Sequence, residues 1–282
     1  MRVLLVPNPV NQRSVAATGE VAAHLVATGY EPVIASEDAD ACDLPAFGVA
    51  RSEIGAPGLA IALGGDGTIL KAVHLLGPSE VPLLGINLGR LGFLSGAEAG
   101  SVLDSVDTAL AGEGRIERRQ TVEATVMAGE RDAGTYRALN EVFVGRGGGA
   151  RVVEFDVRVN DEPVGRYLCD GVIVATPTGS TAYALSAGGP LVSPEVRGLI
   201  IVPVAPHTLG HRPIVTGPAD IVRITCPNPL RADACVSVDG DQLPCRTVLD
   251  SVEVRPGAHD VCLLKLDGRG FFGVLSHTFL GG

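Results

Sequence analysis

Tryptophan is absent from the chain, and aromatic residues of all kinds make up only 4%. Any sizeable core must therefore be built from Val, Leu, Ile and Ala, which are plentiful. No apolar run approaches the roughly 18 residues that a membrane-spanning helix needs, so no span is expected. There is no Lys/Arg run and no basic tail; 22 basic against 32 acidic side chains give a formal net charge of −10. Nucleic acid is excluded as a partner by the lack of a positive footprint. An anionic ligand would instead be held by backbone N–H groups and a few placed cations. The six cysteines, Cys42, Cys169, Cys226, Cys235, Cys245 and Cys262, form no C-x-x-C pair and no metal-type cluster, and read as buried free thiols. His207 and His211 have no carboxylate or cysteine at matching spacing, so no zinc site is expected. The start, "MRVLLVPNPV", is interrupted by Pro7, Asn8 and Pro9 and reads as the first strand of a cytoplasmic protein rather than a signal peptide.

What is present is a globular composition, 46% hydrophobic and 19% charged over 282 residues, with 37 Gly and 19 Pro marking many tight turns. Two rhythms divide the chain. Up to about residue 115, strand-like runs (Arg2–Val6, Pro32–Ala35, Gly58–Leu63, Val81–Asn87) alternate with helical spacing at Ser14–Ala27, Thr68–Leu76 and, capped by Ser101, up to Leu110. Near-continuous apolar strands between helices indicate a parallel sheet covered on both faces. Residues 116–265 instead carry short strands: Thr121–Met127, Glu141–Gly145, Val152–Val159, Val172–Ala175, Ile200–Val204, Ile221–Thr225, Cys235–Val238 and Ser251–Arg255. Only Ala182–Ala187 suggests a short helix there, so a second, mostly antiparallel β domain is expected. The segment 266–282 is either one more strand or a return to the first domain.

Four stretches carry chemistry. "GGDGT" (64–68) follows a strand and opens a helix, a place where N–H groups and the helix dipole favour phosphate. It is neither a Walker loop nor a dinucleotide fingerprint, and "GRGGGA" (145–150), the nearest literal match to the latter, has no helix after it. A carboxylate there, Asp66, fits two roles: a cap for the helix that follows, or the group that orients and deprotonates an alcohol during phosphoryl transfer. "TPTGSTAY" (176–183), followed by "SAGGP" (186–190), concentrates hydroxyls beside a glycine, with Tyr183 offering a ring for a base. A Ser/Thr turn feeding a short helix would look the same. "ALNEVFVG" (138–145) places Asn140 and Glu141 ahead of a strand, and "PHT" (206–208) is a rigid loop.

Together with "GINLGRLGFL" (85–94), "LNE" (139–141), "DG" (170–171) and "PHTL" (206–209), these stretches resemble the NAD kinase family over most of the chain. The first motif alone is shared with lipid kinases, whereas "TPTGSTAY" with "LNE" and "GFL" in this order is far more specific. The resemblance implies an α/β N-terminal domain followed by a β C-terminal domain. It also implies transfer of a phosphoryl group from ATP or polyphosphate to the adenosine-ribose 2′-hydroxyl of NAD, with Mg²⁺ bridging donor phosphates. Asp66 would be the base, with Gly65 and Gly67 shaping its turn. Phe93 would line the adenine pocket. Asn140, Glu141, Thr178, Thr181, Ala182, Tyr183 and Ser186 would bind the dinucleotide, and Asp170 would reach the ligand of a neighbouring subunit. Arg151 and Ala205 fall at further contact positions. Thr68 and Lys71 are the candidate contacts for the phosphate donor, although a Lys one turn into a helix also suits a solvated surface. A homodimer or homotetramer is implied as well.

Two positions depart from the family. Where Gln often follows an Asp-Gly pair, this chain reads "VDGDQ", so either Asp241 or Gln242 supplies that contact. Leu168, two residues before Asp170, brings no charge toward a phosphate, which leaves donor choice and NAD-versus-NADH preference open. Two rival functions stand beside the main one: a lipid kinase sharing "GGDGT", for which the "TPTGSTAY" pocket has no evident use, and a dinucleotide sensor without catalysis, against which Asp66 argues.

Overall fold

The computed structural model describes residues 1–89, 92–98, 101–129, 131–148, 152–208, 210–227, 234–244, 248–266 and 270–279. The chain divides into two compact units, Met1–Arg118 with Val261–Gly282, and Arg119–Asp260.

The first unit is built on a sheet in the order Gly48–Val49, Glu31–Ala35, Arg2–Pro7, Leu59–Leu63, Pro82–Asn87, Val261–Lys265, Arg115–Arg119, with Ala97–Glu98 as a branch on Pro82–Asn87. The strands from Gly48–Val49 to Val261–Lys265 pair in parallel. Leu59–Leu63 is buried along its whole length, which is why it reads as an unbroken apolar run. Helices Gln12–Ala27 and Val102–Leu110 begin at side-chain caps: Asn11 accepts from the Arg13 N–H and Ser101 from the Asp104 N–H. Along the sheet the chain steps outward from Arg2–Pro7 in one direction and then from Leu59–Leu63 in the other. The turns after those two adjacent strands flank a topological switch point, where open α/β sheets place ligands.

The second unit contains two six-stranded antiparallel sheets. One runs Ile214–Val215, Ile200–Val204, Gly171–Ala175, Glu141–Arg146, Ala234–Val238, Asp241–Gln242. The other runs Glu162–Cys169, Val153–Val159, Val222–Thr225, Leu249–Pro256, Val122–Ala128, Arg131–Ala138. Side chains of both sheets, among them Val126, Phe155, Val172, Val174 and Val236, share one apolar core. On the other face of Gly171–Ala175, Ile173 and Ala175 pack with Ile200, Val202 and Ala184. A strand covered on both faces needs no polar alternation, hence "GVIVA".

Among the strands with no counterpart in the sequence reading are two long ones of the second unit, Arg131–Ala138 and Glu162–Cys169. They are the two edges of their sheet, and edge strands carry charge, Gly and Pro that erase the alternating pattern. Val261–Lys265 joins the first sheet, and residues 271–279 form a helix rather than a strand. Among the described residues, no helix is long and apolar enough to cross a membrane.

Candidate active site

"GGDGT" sits at the end of Leu59–Leu63 and turns into the helix Asp66–Leu76. Its three glycines do different things. A Cβ at Gly64 would run into the Thr68 side chain, so Gly64 serves packing. Around Gly65 and Gly67 there is nothing within 4 Å of where a Cβ would stand. Both glycines line a cleft of about 260 Å³ with Pro7, Asn8, Pro9, Thr68 and Lys71. The cleft therefore lies at the switch point, between the turn after Arg2–Pro7 and the turn after Leu59–Leu63. Ser14 ties those two turns together: its Oγ accepts from the Asn8 N–H at 2.8 Å and donates to the Leu63 carbonyl at 2.5 Å.

Asp66 does not cap its helix. The N-cap is Gly65, with no side-chain cap bond, and Asp66 is the first helical residue. Its carboxylate accepts instead from two backbone N–H groups of the "GFL" turn, Phe93 to Oδ2 at 3.0 Å and Leu94 to Oδ1 at 3.2 Å. That holds both oxygens of the acid in one plane and one orientation while leaving lone pairs on each. Gly92 makes the approach possible, since a Cβ there would stand 2.7 Å from Asp66 Cγ and 2.9 Å from Oδ2. Lys71 lines the cleft with its side chain one-third exposed, and its ammonium is paired with the buried Asp38 of helix Ser36–Ala41.

In the second unit the "LNE" turn is held from two sides. The Asp239 carboxylate accepts from the N–H groups of Leu139 (2.8 Å), Asn140 (2.7 Å) and Glu141 (3.2 Å). From the other side Thr176 donates its hydroxyl to the Leu139 carbonyl at 2.6 Å and its N–H to the Asn140 carbonyl at 2.8 Å. Gly179 lies so close that a Cβ would stand 2.6 Å from the Asn140 carbonyl carbon. "LNE" and "TPTGSTAY" are thus one constellation, with Asp239 and Thr176 as its clamps.

Glu141 is the buried acid of this constellation, 7% exposed, with Oε2 lacking a hydrogen-bond partner. Burial pushes its pKa up to about 7, the Asp239 carboxylate adds to the rise, and the Tyr183 N–H opposes it. The sign for stability follows directly. Between 4.5 and about 7 the folded chain keeps a proton that the unfolded chain has lost, so folding weakens as pH rises through that window. The cost is about 3 kcal/mol once the rise is complete. Glu141→Gln is therefore expected to be more stable than the native chain by about that amount at pH 8, the difference fading toward pH 5. Denaturant unfolding at the two pH values measures it; equal stabilities at pH 8 would contradict the burial account.

The remaining residues of the expected site fall as follows. Thr178 is buried and Thr181 donates its hydroxyl to the Thr178 carbonyl at 3.2 Å, inside the turn Thr178–Thr181. Ala182 precedes the helix Tyr183–Ser186; the Tyr183 ring meets Phe143 edge-on at 5.6 Å, and Ser186 is exposed. Asp170 is ion-paired with Arg146 at 2.9 Å. Ala205 adopts φ +47°, a conformation uncommon for a residue with a Cβ, just past the strand end that pairs Gly171 with Val204. Asp241 and Gln242 are both exposed in a two-residue strand. Arg151 lies outside the described residues. Asp66, Gly65, Gly67, Thr68, Lys71 and Phe93 belong to the first unit, and all the others just named to the second. Sequence reasoning quoted Gly92, Thr176 and Asp239 within motifs without giving them these roles, and it missed Asn8 and Arg146. Of these last two only Asn8 left a usable signal, a Pro-Asn-Pro turn directly after the first strand.

A glycine-rich turn opening a helix at a switch point with a fixed acid in one unit, and a hydroxyl-rich constellation with one unpartnered carboxylate oxygen in the other, are the parts a phosphotransferase acting on an alcohol needs. Residues 48–113 match the family model for the ATP-NAD kinase N-terminal domain and residues 139–266 that for the ATP-NAD kinase C-terminal domain. The chain is 38% identical over 275 residues to the NAD kinase of Caldanaerobacter subterraneus subsp. tengcongensis, covering 97% of both chains. It is 43% identical over 222 residues to the NAD kinase of Symbiobacterium thermophilum, covering 78% of both. Among solved structures it is similar to yeast NADH kinase complexed with NADH, at 25% identity and TM-score 0.88, covering 100% of this chain and 87% of that one. It is also similar to an NAD kinase from Archaeoglobus fulgidus in complex with ATP, at 25% identity and TM-score 0.75, covering 98% of each. The chain belongs to the NAD kinase family.

Proposed function

We propose that this chain transfers the terminal phosphoryl group of ATP to the 2′-hydroxyl of the adenosine ribose of NAD, giving NADP, with Asp66 as the base. The observation that carries the assignment is the Asp66 carboxylate, held by the Phe93 and Leu94 N–H groups instead of capping its own helix. In this reading Asp66 orients the hydroxyl and takes its proton as the oxygen attacks the γ-phosphorus. The bond from that phosphorus to the β–γ bridging oxygen breaks and ADP leaves. Gly65, Gly67 and Thr68, at the N-terminus of an eleven-residue helix, receive the donor phosphates, and Lys71 neutralises part of their charge. Asn140, Glu141, Thr178, Thr181, Ala182, Tyr183 and Ser186 bind NAD, with the free Glu141 Oε2 accepting from a ligand hydroxyl. Phe93 lines the adenine pocket, while Asp170, Arg151, Ala205 and Asp241 are further contacts.

Mg²⁺ enters with the donor as part of the MgATP substrate. In this reading the ion is held by donor phosphates and water, as Mg²⁺ usually is. Polyphosphate is a second donor to be tried, and a cytoplasmic homo-oligomer is the form in which the enzyme works. With NAD and ATP, NADP formation is expected to require added Mg²⁺ and to stop on chelation. Undiminished turnover in excess chelator would contradict the MgATP reading. NAD binding with no product under any donor would favour a sensor.

A further inference from the structure

We infer that Lys265, Phe271 and Phe279, in the segment that returns to the first unit, position Asp66 for catalysis. The inference rests on Asp66 being the base. The acid is only as well placed as the turn 92–95 that grips it, and that turn is itself gripped from the returning segment.

Lys265 ends the strand Val261–Lys265 and is 6% exposed. Its ammonium donates to the Leu94 carbonyl at 3.0 Å and to the Ser95 carbonyl. Leu94 is thus pinned at both ends of its backbone, its N–H on Asp66 and its carbonyl on Lys265. Gly96, directly after the turn, donates its N–H to the Gly85 carbonyl at 2.8 Å and accepts from the Leu266 N–H at 2.9 Å. A Cβ at Gly96 would meet the Leu264 carbonyl, whose carbon stands 3.1 Å away, so the turn lies flat against the returning strand. Phe93, the other residue that donates to Asp66, is held by its ring. Phe279 stacks on it at 6.0 Å and 23°, and Phe271 meets it at 5.9 Å and 48°.

A buried ammonium is costly unless hydrogen-bonded, and an aliphatic residue would fill the same volume without that cost. What the ammonium adds is direction: it fixes two carbonyls of the turn that presents N–H groups to the base. The ring clasp does the same for the other N–H. All three residues act through the turn, so they are positioning residues rather than catalytic ones.

The test separates positioning from folding. Lys265→Met is expected to lower kcat about tenfold to a hundredfold, with KM for NAD and for ATP within about twofold of the native values. Lys265→Arg, which keeps the donors, should recover most of that loss. Phe279→Ala removes a ring that is 46% exposed and should lower kcat in the same way by about threefold to tenfold. In an Asp66→Asn background neither substitution should reduce the residual rate further, because residues that act as one unit are not additive. Native kcat in folded Lys265→Met or Phe279→Ala, or the same fold-loss with and without Asp66, would overturn the inference. If Lys265→Met does not fold, Phe279→Ala carries the test. Near-native turnover in Asp66→Asn alone is a different result: it removes the base assignment itself.

Discussion

Asp66→Asn is expected to lower kcat about 10²- to 10⁴-fold while leaving NAD affinity within about threefold. The loss has two parts. An amide cannot take the proton of the attacking hydroxyl. It also cannot reproduce the native contacts, since the carboxylate accepts from the Phe93 and the Leu94 N–H at once. Asn can accept one of these N–H groups but points its own NH₂ at the other, so the side chain turns away from the geometry the acid holds. Binding is expected to survive because, Phe93 apart, the residues assigned to NAD lie in the other compact unit. Initial rates of NADP formation, measured beside NAD titration calorimetry, give both numbers. A kcat within about threefold of native would remove Asp66 from the chemistry.

Gly92→Ala is the second large effect, expected to lower kcat about 10²-fold, the usual consequence of misplacing a reacting group by an ångström. Gly92 is not needed for a left-handed torsion, for its φ lies outside that region. It is needed for room. A methyl group there would stand 2.7 Å from Asp66 Cγ and 2.9 Å from Oδ2, so the carboxylate or the turn must move. Because the turn is anchored by Lys265 and the two phenylalanine rings, the acid is the part that yields. The substitution should also cost about 1–3 kcal/mol of stability, as overpacking does. Rates and denaturant curves on the same preparation separate the two, and native kcat in this variant would mean that the close approach has no role.

These two positions also show how far the sequence could be read. The site acid was legible, because a carboxylate in a glycine-rich turn after an apolar strand demands a reason. Its partners were not, because a backbone N–H 27 residues away leaves no trace in side-chain type. "GFL" could be quoted for its likeness to a family, yet the need for its glycine appears only when the Asp66 carboxylate is seen against it. Asp239 was hidden in the same way: nearly a hundred residues separate it from the turn it clamps. The parallel sheet was legible from runs such as "LAIAL" and the β unit from alternation such as "VEFDVRV". Arg131–Ala138 and Glu162–Cys169 were not, being edges whose charge suits water more than a core. Lys71 was legible as a cation beside the phosphate turn, but not its buried partner Asp38, contributed by a six-residue helix too short for a periodic signal.

In the proposed reaction the acid in "GGDGT" serves an attacking ribose hydroxyl. Phosphorus NMR of the product made from NAD and MgATP tests it most directly. The expected result is a new monoester phosphate on the 2′-oxygen of the adenosine ribose, with one ADP formed for each, and its disappearance in Asp66→Asn. Phosphate on any other oxygen, or the same product at native rate without the Asp66 carboxylate, would contradict it.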